Sequence, residues 1–379
     1  MKKILVFGIT DKPGGVESVI MNYYRNIDRS KLQFDFLCNT DVVAYEDEIK
    51  SLGGNIYRIT ARSKNFSKYR KELKEFFENN HEKYDTVWVN ICSLANIDYL
   101  KMAKKYKIKN RIIHCHNSQN MDSKLRGLLH KFNRLFIDKY ANVFWSCSEF
   151  SSPWFYSSKV RSKPTYRVIN NAIDIDKYQY DKEKRKQKRK ELGYTDKDIV
   201  IGNVGRMHFQ KNQIFLIKIF EELLKLNPNY KLQIVGDGED REKIENFIEE
   251  RKLGDKVKLL GNRKDVNELY SEMDIYLFPS VFEGFGIVLL EAQCSGLMIF
   301  ASKDVIPEGI KIVKDNFYSI SLDQTEEEWA RIINEKYKPG YERLSANKDI
   351  ENAGYNIKNE AKKIEKVFLE SREKYGKQN

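Results

Sequence analysis

Two glutamates stand in an otherwise mostly apolar run. In PSVFEGFGIVLLEAQCSG, Pro279 to Gly296, Glu283 and Glu291 have seven residues between them. An unpaired buried carboxylate costs several kcal/mol, so this placement calls for a partner or a ligand. DIYLFPS reads as a strand ending at Pro279, and FGIVLLEAQCSG as a helix closed by Gly296. Glu283 then lies in the loop at the helix mouth, and Glu291 about a turn and a half inside. Eight residues of helical rise span roughly 12 Å. The two carboxyl groups of a retaining glycosidase lie only about 5–5.5 Å apart. Two separate tasks are therefore expected of the pair. Gly284, Phe285 and Gly286 free backbone amides at the positive end of the helix. The alternative is that Glu291 pairs with a cation on a neighbouring element.

Other residues could share such a site. In GNVGRMHFQKNQ, Arg206 and Lys211 flank the start of a helix rich in Ile, Phe and Leu. Two cations beside a helix N-terminus can cradle a diphosphate, with Arg as a bidentate fork and Lys as a point charge. Such a pair is more often plain surface, but its position after the first strand of the second half favours the functional reading. Gly14 and Gly15 follow the first strand and precede a helix, where backbone N–H groups can approach a phosphate or sugar closely. In RIIHCHNS the alternation of a strand puts His114 and His116 on one side and Cys115 on the other. That pattern can be half of a metal site, but no matching carboxylate cluster accompanies it. A histidine hydrogen-bonded for structure is the simpler reading. Asp174-Ile175-Asp176 matches a manganese-binding DxD by spelling but follows the last strand of the first half. Asp237 in VGDGED reads as a turn or cap residue. No metal is assigned.

These residues need a scaffold, and the chain supplies a repeating one. Short β-rich runs alternate with amphipathic helical patterns, which signals parallel sheets with crossover helices. KILVFG, FDFLC, NIYRI, DTVWV, RIIHC and NVFWSC are strand candidates in the first half, which YRVINNAID closes. The pattern restarts at DIVIGNVG and continues through YKLQIVGDG, KVKLLG, DIYLFPS and LMIFAS. The expected architecture is α/β, with two Rossmann-like doubly wound domains. Residues 1–178 form the first and 179–355 the second, with 179–196 as linker and first helix. A C-terminal helix within 356–379 is expected to pack back on the first domain. In such sheets ligands bind outside the carboxyl ends of the strands, where the loops named above lie.

Composition limits the function classes. With 379 residues, 41% apolar and 32% charged, two cores and a soluble surface are affordable. The run Ile4–Ile9 is too short for a signal peptide or membrane span. Five scattered cysteines without a CxxC pair fit a reduced, cytoplasmic compartment. The formal charge of +12 concentrates in Lys101–Arg111, Ser123–Tyr140 and Lys182–Lys190. Solvated helix faces are the plain reading, and no nucleic-acid motif accompanies the charge. In Ser123–Tyr140, Leu125, Leu128, Leu129, Phe132, Leu135 and Phe136 recur at helical spacing between the bases. Such a helix either lies on a lipid surface or, as is more common, packs its stripe into the core.

The ordered set GGVE, IIHCHNS, NNAID, GNVGRMHFQKN, IVGDGED, GNRKDV and PSVFEGFGIVLLEA resembles the family-4 retaining glycosyltransferases of the GT-B fold, over nearly the whole chain. The last of these motifs corresponds to the family's E-x7-E. The resemblance implies two domains facing a central cleft, with a nucleotide sugar held mostly by the C-terminal one. It implies that Glu291 takes the ribose hydroxyls, while Glu283 and the amides of Gly284, Phe285 and Gly286 hold the donor sugar. Arg206 and Lys211 would grip the diphosphate, Gly15 would face it with Gly14 beside it, and Arg263 would lie near the base through its backbone. His116 would organise the reaction centre with His114 in support. Ala172 stands where the family often has glycine, so that turn is expected to differ, and Glu308 after IPEGI lies in an irregular loop. The implied activity is transfer of a sugar, with a UDP-sugar as expected donor, to an acceptor hydroxyl with retention. The acceptor would be a lipid-linked saccharide such as an undecaprenyl diphosphate sugar in capsule or other surface-glycan synthesis, met at the inner, anionic face of the cell membrane. Neither cofactor nor metal is expected. A nucleotide-sugar 2-epimerase and a non-catalytic GT-B binding partner share the architecture and stay open.

Overall fold

The computed structural model describes residues 1–120, 123–303 and 305–370, apart from the side chain of Glu308. The chain divides into two compact units, residues 1–172 with 357–379, and residues 173–356. The division falls at Ala172/Ile173, slightly earlier than the expected 178. The reason is local. Asn22 Nδ2 donates to the Ala172 carbonyl in the first unit, whereas the Ile173 N–H donates to the Tyr355 carbonyl in the second.

The first unit carries seven parallel strands: β1 (Lys2–Phe7), β2 (Leu32–Cys38), β3 (Ile56–Arg58), β4 (Thr86–Ile91), β5 (Asn110–Cys115), β6 (Val143–Ser146) and β7 (Tyr166–Val168). Their order is β3-β2-β1-β4-β5-β6-β7. Ile4, Leu5 and Val6 are all buried, as a strand covered on both faces requires. One cover is the helix Gly15–Asn26, which turns Val19, Ile20, Tyr23 and Tyr24 inward. Beside it lies the helix Ile357–Leu369, which belongs to this unit although it ends the described chain. Phe368 anchors it, with ring centroids 5.7 Å from Phe34 and 5.6 Å from both Trp88 and Trp145. The Asp28 N–H donates to Glu365 at 3.0 Å. Residues 371–379 of the expected C-terminal segment lie outside the described ones.

The second unit has six parallel strands: β8 (Ile199–Val204), β9 (Tyr230–Val235), β10 (Val257–Gly261), β11 (Ile275–Phe278), β12 (Met298–Ser302) and β13 (Phe317–Ile320). Their order is β10-β9-β8-β11-β12-β13. Strand β13 is not among the strands expected from the sequence. Among the described residues it pairs only with β12, at the sheet edge, and of its four residues Phe317 and Ile320 at the ends are buried.

Two basic segments differ from expectation. In the helix Lys182–Leu192, Lys182, Lys186 and Lys190 are solvated as expected, but Lys188 and Arg189 are buried. Arg185 and Arg189 both bind Asp274, at 2.6 and 3.2 Å, and Lys188 reaches Asp265 and Glu268. The run is thus a clamp onto the second sheet, because acids far along the chain meet one of its faces. In the helix Lys124–Arg134 the apolar stripe does not enter the core. Leu125, Leu128, Leu129, Phe132 and Leu135 are exposed, while Gly127 and His130 are buried. No described helix is long and apolar enough to cross a membrane.

Candidate active site

Each sheet has a switch point, where successive connections leave in opposite directions along the sheet. In the second sheet it lies between β8 and β11, and ligands of such sheets bind at the carboxyl end there. The two loops that leave it, 205–212 and 279–286, are joined. The Val281 N–H donates to the Gln210 carbonyl at 2.8 Å, and Gln210 Nε2 donates to the Phe282 carbonyl at 2.8 Å. This brings Lys211 Nζ within 2.7 Å of Glu283 Oε1. Their side chains are only 16% and 7% exposed, so each supplies most of the charge the other needs in a poorly hydrated place. Lys211 also lies 5.0 Å from the centre of the Phe278 ring. Gln210 is a site residue that the sequence reading missed. Its only signal is its place beside Lys211.

Arg206 shares the first of these loops but points elsewhere. Its Nε donates to Glu239 at 2.9 Å, and its side chain is 63% exposed. Glu239 also faces His208 Nε2 at 3.3 Å. The loop after β9 is pressed against this one: the Met207 N–H donates to the Asp237 carbonyl, and the Asp240 N–H to that of Met207. A Cβ on Gly236 or Gly238 would stand 2.1 or 2.2 Å from a backbone oxygen, so only glycine fits. Asp237 accepts from the Gly238 N–H, as a turn residue does.

Glu291 is not part of the Lys211–Glu283 pair. It sits in the helix Ile287–Cys294, 8% exposed, and accepts from the Tyr270 hydroxyl at 2.8 Å. Burial pushes its carboxyl up to about 7, against the opposing hydrogen bonds of Tyr270 and Tyr178 and the charge of Lys177. Among the described residues no cation forms an ion pair with Glu291; its hydrogen-bond partners are phenols. Tyr270, in NELYSE, gave no sequence signal. Gly284, Phe285 and Gly286 are buried at the mouth of the same helix, and Gly286 takes a φ of +82° as its N-cap. Arg263 directs its guanidinium to Asp265 and Glu191, at 2.6 and 2.8 Å, so only its backbone is free for a ligand role.

The first sheet switches between β1 and β4. Asn90, at the end of β4, lies against Gly8 after β1, where a Cβ would stand 2.7 Å from that of Asn90. Asn90 Oδ1 accepts from His116 Nε2 at 3.0 Å, which fixes that nitrogen as the protonated one. The rings of His114 and His116 lie 4.1 Å apart, on one side of β5 as the alternation predicts. Desolvation holds His116 down to about 3 and His114 well below the usual range. His114 is fully buried and stacks on Trp88, and among the described residues neither of its ring nitrogens has a hydrogen-bond partner. The structural hydrogen bond expected of a plain core histidine is absent there. Gly14 and Gly15 begin the helix Gly15–Asn26, and Thr10 Oγ1 donates to Glu17 at 2.6 Å to brace their loop. Among the described residues, no three His, Cys, Asp or Glu side chains are grouped to hold a metal ion.

Comparison with known proteins gives these loops a context. Residues 184–359 match the family model described as glycosyl transferases group 1, which covers most of the second unit. EpsF of Bacillus subtilis strain 168, which carries a glycosyltransferase name, is 28% identical over 336 residues, covering 84% of each chain. The UDP-Gal:alpha-D-GlcNAc-diphosphoundecaprenol alpha-1,3-galactosyltransferase of Escherichia coli is 28% identical over 211 residues, 54% of each chain. Among solved structures, Anabaena HepE in complex with UDP and glucose superposes with a TM-score of 0.79 at 18% identity, over 98% of this chain and all of its own. Residues 184–359 belong to the glycosyl transferases group 1 family, and the chain that carries them has the two parallel-sheet units of the GT-B fold.

Proposed function

We propose that this protein is a retaining glycosyltransferase that moves a sugar from a UDP-sugar to a hydroxyl of a lipid-linked saccharide in surface-glycan synthesis. The observation that carries the reading is the low-exposure Lys211–Glu283 pair at the switch point of the second sheet. A buried ion pair contributes little that apolar packing would not. A cation and a carboxylate at the carboxyl ends of the strands suit a ligand with a diphosphate joined to a sugar. The name of the Escherichia coli relative, with its UDP-galactose donor and diphosphoundecaprenol acceptor, supports donor and acceptor class.

In the proposed reaction the acceptor oxygen attacks the anomeric carbon from the face the diphosphate leaves. The carbon–oxygen bond to the diphosphate breaks, a bond to the acceptor forms, and the acceptor proton passes to a phosphate oxygen. Lys211, with Arg206 turned from Glu239, stabilises the charge developing on the leaving diphosphate. Glu283 and the amides of Gly284, Phe285 and Gly286 orient the sugar, and Glu291 accepts from the ribose hydroxyls. His116, neutral and with Nε2 fixed by Asn90, is assigned to the sugar hydroxyls, with His114 behind it. The Gly14–Gly15 amides are assigned to the diphosphate, and the Arg263 backbone to the base. The two cations take the role that a metal plays in other transferases. The expected place of work is the cytoplasmic face of the membrane.

The test is thermal stabilisation by a panel of UDP-, GDP- and ADP-sugars, since ligands that bind only the folded state raise its stability. Stabilisation by a UDP-sugar, then acceptor-dependent turnover unchanged by EDTA with a product of retained configuration, is expected. Conversion of the donor without acceptor would instead establish the 2-epimerase, and no binding of any sugar nucleotide would overturn the reading.

A further inference from the structure

The helix Lys124–Arg134 is mounted inside out. At about 100° per residue, Leu125, Leu128, Leu129, Phe132 and Leu135 fall within an arc of roughly 120°. Surface helices of soluble domains turn such a stripe to the core. Here Leu125 is 67% exposed, Leu128 66%, Phe132 59% and Leu135 69%. The opposite face holds the helix on the unit. Gly127 is buried against Asn120, and His130 is buried, accepting from the Leu94 N–H at 3.0 Å and stacking on Trp154 at 4.0 Å. Asn133 Nδ2 donates to the Leu94 carbonyl, and Arg134 to those of Pro153 and Tyr156. The inward face is thus satisfied by specific polar contacts, and reversing the helix would break them. Ser123 caps its start by accepting from the Arg126 N–H, so the helix is formed in the protein as it stands.

Charge frames the apolar arc. On the same wheel Lys124 and Lys131 border one edge and Arg126 the other. Just past the helix, Lys139 lies 4.7 Å from the centre of the Phe136 ring, and Lys101 and Lys104 lie 5.8 and 5.6 Å from that of Tyr140. No acidic residue occurs between Ser123 and Ile137. Asp138 follows Ile137 and pairs with Lys163, and Lys101 pairs with Asp98, so the charges that border the arc on the helix itself are the cations Lys124, Lys131 and Arg126. An outward apolar face with cations at both edges matches a surface that is anionic outside and apolar beneath.

We infer that the helix Lys124–Arg134 is a membrane-docking element that lies in the plane of an anionic bilayer, with Leu125, Leu128, Phe132 and Leu135 entering the headgroup–acyl boundary and Lys124, Arg126 and Lys131 on the lipid phosphates. This deepens the reading above by naming the surface at which a lipid-linked acceptor is met, and rests on it only for that purpose. Docking itself is measurable without any sugar. Co-sedimentation of the full chain with phosphatidylcholine vesicles, with and without phosphatidylglycerol, tests it. Binding to the anionic vesicles that weakens with salt is expected, and Leu128→Asp with Phe132→Asp lowers it at least tenfold. Both positions are exposed, so the midpoint of thermal unfolding and the stabilisation by a UDP-sugar stay at the wild-type values. Lys124→Glu with Lys131→Glu lowers binding and flattens its salt dependence. Wild-type binding in the Asp double variant, equal binding to both vesicle types, or a wild-type dimer in solution that the Asp double variant converts to monomer would overturn the inference. In each of these cases an intact sugar-nucleotide response leaves the transferase reading standing.

Discussion

At the switch point of the second sheet two side chains of opposite charge face each other, Lys211 and Glu283. At that of the first, the groups that converge are an amide and two imidazoles that burial keeps uncharged. The backbone device is the same in both places: parallel strands whose connections part, and glycines where backbones press together. The chemistry is opposite. A paired cation and carboxylate can exchange partners with an ionic ligand without leaving a bare buried charge, because each ligand group replaces the one it displaces. Neutral imidazoles cannot compensate a diphosphate, but they can donate and accept hydrogen bonds without attracting ions. In the proposed reaction, negative charge develops on the leaving group and the sugar hydroxyls stay neutral. The charged edge then suits the first and the uncharged edge the second.

The contrast is broken most directly at the charged edge. Lys211→Ala removes the cation that faces Glu283, and unfolding in denaturant should show a loss of about 4 kcal/mol, the cost of removing one partner of a buried pair. Turnover should fall at least about tenfold. Arg206→Ala removes a partner from an exposed pair, so the same turnover loss should come with a stability change below about 0.5 kcal/mol. Equal destabilisation by the two variants would erase the distinction between them.

Glu291 gives the next effect. Its carboxyl is raised from 4.5 to about 7 in the fold, so the fold favours the protonated form. That stabilisation is complete below pH 4.5 and is lost as pH rises through 7, a fall of about 3 kcal/mol over the window. Glu291→Gln should remove this part of the pH dependence and leave that of Glu272, which burial raises to about 8. If ribose hydroxyls donate to Glu291, UDP affinity in wild type should rise between pH 6 and 8, and calorimetry of the variant should show a flat profile.

At the uncharged edge the sign reverses. His116 is lowered from 6.5 to about 3, so its contribution is present above pH 6.5 and is lost as pH falls toward 3. Between pH 6.5 and 5.5 wild type should lose about 1 kcal/mol that His116→Gln retains, by denaturant titration at the two pH values. The smallest effect is at Gly15, whose added Cβ meets nothing within 4 Å among the described residues. Gly15→Ala should gain about 0.5 kcal/mol of stability. A simultaneous loss of donor affinity would show that the ligand comes close to this backbone; unchanged affinity would remove the glycine loop from the site.

The sheets were legible because strands buried on both faces leave short continuous apolar runs, such as ILVF in β1 and IYLF in β11. Strand β13 was not, since an edge strand with Tyr318 and Ser319 between its buried ends lacks that run. The positions of Lys211 and Glu283 followed from loops after strands, whereas their contact depends on Gln210 bridging two loops some seventy residues apart. Tyr270 was invisible because one helical tyrosine looks like any other until Glu291 is placed beside it. Periodicity revealed the stripe in Lys124–Arg134 but not its direction. That is decided by His130, Asn133 and Arg134, whose partners come from other elements.

The helix Ile357–Leu369 also fixes an order of events during synthesis. The first unit cannot be finished until Phe368 arrives to cover Phe34, Trp88 and Trp145. All of residues 173–356 must be made in between, roughly ten to forty seconds at about 5–20 residues per second. The second unit is contiguous and can close first, while the earlier one waits on the ribosome with an aromatic face uncovered. The half of the protein that is translated first is therefore the half that matures last, and a nascent chain stalled before residue 357 presents that face to chaperones.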